Sequence, residues 1–175
     1  MFLTCHLLVG AAIGKALRRP PVAYPAAYVS HYVLDAIPHL DGGGLLGCGG
    51  APTPLMKGLG AVDLLIGAFI LWRLIRRQPE APRMAWAAFC AILVDVIDYV
   101  PPWCEWVHHS PSTCWFSTVH DLYHHGLTRD QWVVGFGTQL AVALGSAWFI
   151  APRALGQSHP EALEKRGLSD DTTRA

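Results

Sequence analysis

The sequence predicts an all-α fold, a polytopic membrane helix bundle with about five transmembrane helices and a short interfacial helix before the last. Composition is the first observation. The 175-residue chain is 52% apolar and only 15% charged, whereas soluble domains carry about 25% charged residues, so too little charge is present to cover a water-facing surface. Mean hydropathy is +0.30. The second observation is clustering: the apolar residues gather in segments that approach the ~20 residues a spanning helix needs. The third is charge balance. Lys+Arg and Asp+Glu are both 13, which leaves no basic face for nucleic acid and excludes a nucleic-acid partner.

The first segment, residues 2–17, is short and holds His6. Its basic residues (Lys15, Arg18, Arg19) follow the apolar stretch, the reverse of a signal peptide, so it reads as retained. Arg18-Arg19-Pro20-Pro21 then forces a reversal. The second segment, 22–38, carries His31 and Asp35 near its end. The third, 59–75, is apolar apart from Asp63 and Arg73, and the fourth, 84–100, has Asp95 and Asp98 in its last turns. Residues 114–127 alternate Trp115, Val119, Leu122 and Tyr123 with polar positions, as an interfacial helix does. The fifth segment is 132–150. Residues 1–151 therefore form the membrane-embedded domain, and 152–175 a polar, disordered cytoplasmic tail.

Cytoplasmic loops are enriched in Lys and Arg. Of the 13 basic residues, all but Lys57 and Arg129 fall on one side of this arrangement. The expected location is a bacterial inner membrane with the N-terminus outward and the C-terminus cytoplasmic. Trp103, Trp106, Trp115 and Trp132 fall near the outer boundary, where amphipathic rings prefer to lie.

An ionisable residue within a lipid span costs roughly 2.5–3.5 kcal/mol and so needs a reason. In this topology His6, His31, Asp35, His39, Asp63, Asp95, Asp98, His120 and His124 all reach the outer face, although the charge count did not use them. His31 and Asp35 are i, i+4, with His39 on the turn that Pro38 imposes. Asp95 and Asp98 are i, i+3, and His120 and His124 are i, i+4, a separation at which two imidazoles can share one ion. Imidazole with carboxylate suits a divalent metal ion, Zn²⁺ in preference to Mn²⁺. His6, His31, Asp35, His39, Asp63, His120 and His124 are the expected ligands, Asp95 and Asp98 the expected catalytic carboxylates, and surplus ligands admit a second ion or an outer shell that orients the imidazoles.

Each residue also has a structural alternative: a helix–helix hydrogen bond for His6, a buried pair for His31 and Asp35, a helix-start role for Asp63. His108, His109 and His125 read as solvated loop histidines and Asp41 as a turn residue. The cysteines form no C-x-x-C pair, and Cys104 and Cys114 are candidates for a loop disulfide. The glycine-rich run 42–50 lacks the Lys-Ser/Thr of a phosphate-binding loop. Leu34-Asp35-Ala36-Ile37-Pro38 and Ile97-Asp98-Tyr99-Val100-Pro101 are alike, which suggests equivalent placements for Asp35 and Asp98.

Thr4-Cys5-His6-Leu7-Leu8-Val9-Gly10, Ser30-His31-Tyr32-Val33-Leu34-Asp35-Ala36-Ile37-Pro38-His39 and Asp95-Val96-Ile97-Asp98 resemble the YdjM-like family of membrane-bound metal-dependent hydrolases. The resemblance implies metal-binding roles for His6, His31, Asp35 and the Asp95/Asp98 pair. Val94 stands where the family often has proline, and His120 to His125 differ from its histidine-containing element. The expected function is an integral-membrane metal-dependent hydrolase acting on a phosphoester or related bond in a membrane lipid or lipid-linked substrate. The alternative is a non-enzymatic metal-binding or metal-transporting membrane protein.

Overall fold

Small residues decide how these helices pack. The computed structural model describes residues 1–46 and 53–152. The second half of the glycine-rich run, and the tail past Pro152, lie outside them. Helix α1 (Leu3–Ala16) is the centre of the bundle and packs against α2 (Pro20–Asp35), α4 (Pro54–Ile75), α5 (Ala81–Tyr99) and α8 (Trp132–Ile150). Gly10 and Gly14 let α1 approach α5 backbone to backbone. A Cβ on Gly10 would lie 2.7 Å from Ala87 O and 2.7 Å from Ala91 Cβ. On α2, Ala23, Ala27, His31 and Asp35 form one buried i, i+4 stripe. Ala27 of this stripe packs with Ala87 and Ala91 of α5, so the close approach that seats it also draws His31 and Asp35 inward.

Helix starts and stops follow local chemistry. Pro20 and Pro21 open α2 at positions whose N–H groups need no helical partner. Thr53 caps α4 by accepting Met56 N at 3.3 Å. α2 ends at Asp35, before Pro38, as proline's constraint on its predecessor requires. The short helices α3 (Gly42–Leu46), α6 (Trp103–His109) and α7 (Trp115–Tyr123) and a 3₁₀ turn at Arg129–Gln131 complete the chain.

The expectation of five spanning helices is overturned. Among the described residues, two helices are long and apolar enough to cross a membrane, Pro54–Ile75 and Arg129–Ile150. A third crossing exists only if α5 and α6, bent by 63° at their junction, count as one span. The reason is length and polarity. The 14 residues of α1 reach about 21 Å at 1.5 Å per residue, short of a hydrocarbon core of about 30 Å. The 16 residues of α2 include Tyr24, Pro25, Tyr28, Ser30, His31 and Asp35, too polar for lipid. α1 spends its apolar face inside the bundle, and α2 buries Ala23, Ala27 and Leu34 there while Val22, Val29 and Val33 stay exposed. α4 and α8 do the opposite and leave Leu65, Phe69, Leu140, Leu144 and Trp148 exposed, as lipid-facing helices do.

The two ends of the bundle differ chemically. At one, Lys15 Nζ donates to the carbonyls of Phe149, Ile150 and Ala151 at 3.1, 2.6 and 3.3 Å, satisfying the free end of α8. Arg83 Nε donates to Gly14 O at 2.7 Å beside it. Between the ends lies an apolar core that includes Leu7, Leu8, Ala11, Leu71, Met84 and Ala88. The histidines and aspartates gather at the opposite end. Cys104 and Cys114 are free thiols.

Candidate metal centre

His31 and Asp35 project from the last turns of α2, His6 from the first turns of α1, and His120 from α7. All four are buried. The His6 and His31 rings stack at 4.1 Å. His39 and His124 come from loops held together by backbone hydrogen bonds. His125 N donates to Asp35 O at 2.9 Å, and Leu127 N to His39 O at 2.7 Å. The pairing of 35–39 with 125–127 is what delivers His124, which lies just past the end of α7.

The outer nitrogens fix the tautomers. His31 Nδ1 lies 2.8 Å from Ala91 O and His39 Nδ1 2.8 Å from Ile37 O. A carbonyl only accepts, so both nitrogens donate and their Nε2 atoms carry the lone pair when neutral. His120 Nδ1 donates to Asp98 Oδ2 at 2.8 Å, which leaves its Nε2 facing inward in the same way. The Nε2 atoms of His31 and His120 are 3.3 Å apart. Two lone pairs at that distance repel, and a cation between them, proton or metal, turns the repulsion into binding.

Asp35 supplies the charge. Its Oδ2 is 3.1 Å from His31 Nε2 and 3.3 Å from His120 Nε2. With the 3.3 Å between the imidazoles, these atoms form a near-equilateral triangle. A tetrahedral ion bound at 2.0–2.1 Å has ligand–ligand edges of about 3.3 Å, so the triangle fits one face of that tetrahedron. Asp35 Oδ1 faces the other way, 2.7 Å from the Met1 amino group and 3.2 Å from His6 Nε2. The same amino group is 2.7 Å from His39 Nε2, so a cationic group lies between Asp35 and His39.

Among the described residues, three overlapping groups could hold a metal ion: His6, His31 and Asp95; His31, Asp35 and His120; and Asp35, His39 and His124. His31 links the first two and Asp35 the last two. The buried atoms His6 Nδ1, His6 Nε2 and Asp95 Oδ2 have no hydrogen-bond partner. His6 Nε2 is close to Asp35 but lies off the hydrogen-bonding line. Buried polar atoms are normally satisfied, and a bound cation would satisfy the facing atoms here. The donor set and its unmet atoms both fit a divalent metal.

Asp98 does not face the ligand groups. It holds His120 Nδ1 and also accepts from Ser117 Oγ and from His108 Nε2, the latter at 2.8 Å. Asp35 and Asp98 thus grip opposite nitrogens of one imidazole, and their similar sequence contexts do not give them equivalent placements. Asp95 Oδ1 is 3.8 Å from His31 Nε2 and 3.9 Å from His120 Nε2. Asp63 stands apart: both its oxygens are taken by Thr4, Oδ2 by the backbone N at 3.2 Å and Oδ1 by Oγ1 at 2.7 Å. His120 and His124, spaced as if to share an ion, fall in different ligand groups among the described residues. α7 ends at Tyr123, so His124 turns toward His39, its Nε2 3.3 Å away. Asp41 is a turn residue, accepting Gly44 N at 2.6 Å, and also lies 3.6 Å from His124.

No family model, no curated protein and no solved structure matches the chain. The site is therefore read from its own chemistry.

Burial, and then the Met1 ammonium, press the His39 imidazole down to about 4, so it is neutral, with its Nε2 accepting from that ammonium. Burial also lowers His124. His120 goes the other way: burial opposes its charged form, but the hydrogen bonds it donates to Asp35 and Asp98 outweigh that and lift it to about 9. Three contributors escape sequence reading. His108 looks like a solvated loop histidine, and Ser117 carries no motif. Gln139 does carry a signal, as a lone amide in the apolar run of α8. It accepts Phe2 N at 2.8 Å and donates to Leu40 O at 2.7 Å, pinning both segments that flank the cluster.

Asp95, Asp41 and His124 line a cavity of about 1020 Å³ between α4, α5 and residues 121–130. The cluster thus opens onto a space large enough for an amphiphile's head and part of a chain.

Proposed function

We propose that this chain is a membrane-embedded, metal-dependent hydrolase that cleaves a phosphoester or related bond in a lipid or lipid-linked substrate. The observation that carries the reading is the triangle of His31 Nε2, Asp35 Oδ2 and His120 Nε2, with its 3.1 and 3.3 Å edges and outward nitrogens anchored at Ala91 O and Asp98. Anchoring of the second nitrogen is what metal-ligating histidines ordinarily receive. His31, Asp35 and His120 would hold one ion, Zn²⁺ in preference to Mn²⁺; a second, at Asp35, His39 and His124, would have to displace the Met1 ammonium that bridges Asp35 and His39. When bound, such an ion lowers the pKa of its water from 15.7 to about 7 and so supplies a nucleophile at neutral pH. Asp95, at the cavity wall with Oδ2 unpartnered, is the carboxylate available to take a proton. Asp98 acts through His120, fixing its ring.

The resemblance of the segments around His6, His31, Asp35 and Asp95-Val96-Ile97-Asp98 to the YdjM-like family supports the same reading. The basic end of the bundle argues for an inner-membrane protein with the cluster on the non-cytoplasmic side. A transport role would need polar residues continuing to the far end, whereas the apolar core fills that path.

Elemental analysis of the detergent-purified protein beside a His31→Ala/Asp35→Ala variant tests the reading. About one or two zinc or manganese ions per chain, lost in the variant, are expected. No metal after reconstitution with excess Zn²⁺ or Mn²⁺ would overturn it.

A further inference from the structure

The basic residues of the chain are unevenly placed. Lys57 and Arg129 are the two that the sequence sets apart from the basic end, and both line the cavity that receives Asp95 and His124. Among the described residues neither belongs to an ion pair. Four carboxylates line the same cavity, Asp41, Asp95, Asp121 and Asp130; Asp41 takes Gly44 N and Asp130 takes Thr128 Oγ1, and among the described residues none of the four pairs with Lys57 or Arg129. Both cations are exposed at the rim, whereas Asp95 is 18% exposed at the inner wall.

The rest of the cavity wall is graded along the helices. α4 starts at the His/Asp end, so the wall descends from Lys57 through Gly60 and Ala61 to Leu64. Seven residues of helix separate Lys57 from Leu64, a depth of about 10 Å. On α5 the facing wall is Asp95 and Tyr99 near the rim, with Val96 and Ile92 deeper along the helix. Small residues at Gly60 and Ala61 leave width where a chain would pass. α4 also exposes Leu59, Val62, Leu65 and Ile66, so this wall belongs to a helix that faces lipid.

We propose that Lys57 and Arg129 recognise the phosphate of an anionic phospholipid, whose acyl chain lies in the cleft between α4 and α5 along Ala61, Leu64, Ile92 and Val96. This substrate class rests on the hydrolase reading above: the two cations hold the phosphate at the mouth of the cavity while the ester faces Asp95 and the ligand cluster. Arg129 offers a planar fork for two phosphate oxygens, and Lys57 a mobile point charge.

The test is equilibrium binding to the detergent-purified, EDTA-treated full chain, read by native mass spectrometry. The probes are dioleoyl phosphatidic acid, dioleoylglycerol and glycerol 3-phosphate. Phosphatidic acid is expected to bind about tenfold or more tighter than either other probe, one lacking the phosphate and the other the chains. Lys57→Ala and Arg129→Ala should each weaken it about fivefold, the worth of an exposed charge pair. Lys57→Arg/Arg129→Lys should recover most of the lost affinity, and the double alanine variant should keep the wild-type thermal midpoint by circular dichroism, which shows that it folds. Equal binding of phosphatidic acid by wild type and the double alanine variant would overturn the assignment. So would equal binding of dioleoylglycerol, or of glycerol 3-phosphate, which would mark a site for soluble phosphate esters. Because binding is read without metal, loss of the metal reading and loss of this one give different results.

Discussion

Replacing Asp98 with Asn separates the two things this carboxylate does for His120. It anchors Nδ1 at 2.8 Å, and with Asp35 it lifts the imidazole to about 9 against the opposing effect of burial. A raised pKa means that a proton competes with metal for Nε2. Below about pH 9 each ion bound at the His31–Asp35–His120 group must displace that proton. Metal affinity should therefore rise about tenfold per pH unit up to about 9 and level off above it. At pH 7, about two units below, the competition costs a factor of about 100. Asn keeps the size of the side chain and removes its charge. Loss of such an anchor typically weakens metal binding by about 10–100-fold. The same loss lowers the His120 pKa and relieves part of the proton competition, so the two effects oppose each other near neutrality and separate in alkali. Zn²⁺ affinity measured by chelator competition from about pH 6 to 9.5 should show Asp98→Asn about 10–100-fold weaker at the top of the range. The gap should narrow toward pH 7, and the variant's slope should be flatter. Unchanged affinity at pH 9.5, or two parallel curves, would refute the reasoning.

The same shift makes the metal-free protein pH-sensitive: the His120 imidazolium pairing stabilises it fully below pH 6.5 and is lost as pH rises through about 9, so its unfolding midpoint, followed by circular dichroism, should fall across that window. Gly10→Val forces a side chain to within 2.7 Å of Ala87 O and Ala91 Cβ; a loss of at least about 1–3 kcal/mol is expected, seen as a lower thermal midpoint in detergent. Gln139→Leu strands Phe2 N and Leu40 O, at about 1–3 kcal/mol for each buried group left unpaired, and should lower both the midpoint and metal retention. Asp63→Asn disturbs only the tie to Thr4, so elemental analysis should find full metal content; a loss of metal would return Asp63 to the ligand set.

Composition and the placement of ionisable residues already determined a helical protein with apolar helices and a polar site at one end. Chemistry that must avoid lipid leaves its mark in one dimension: His31 and Asp35 share a face because of their spacing alone, and Pro38 alone forces His39 off the helix. The number of spans was not legible, because an apolar segment reads the same whether it is covered by lipid or by other helices. Only packing shows that α1 lies within the bundle with α2 seated against it, where Gly10, Gly14 and the alanine stripe admit close approach. Partners distant in sequence were equally hidden. Asp63 falls to Thr4, Asp98 to the back of His120, and His124 to His39 instead of His120, because each depends on which helix ends meet. The sequence by itself determined which residues could carry the chemistry, since residue type and local spacing suffice for that. Tertiary structure decided the role of each, because whether a carboxylate ligates, orients or merely ties two helices together depends on a few ångströms between elements far apart in the chain.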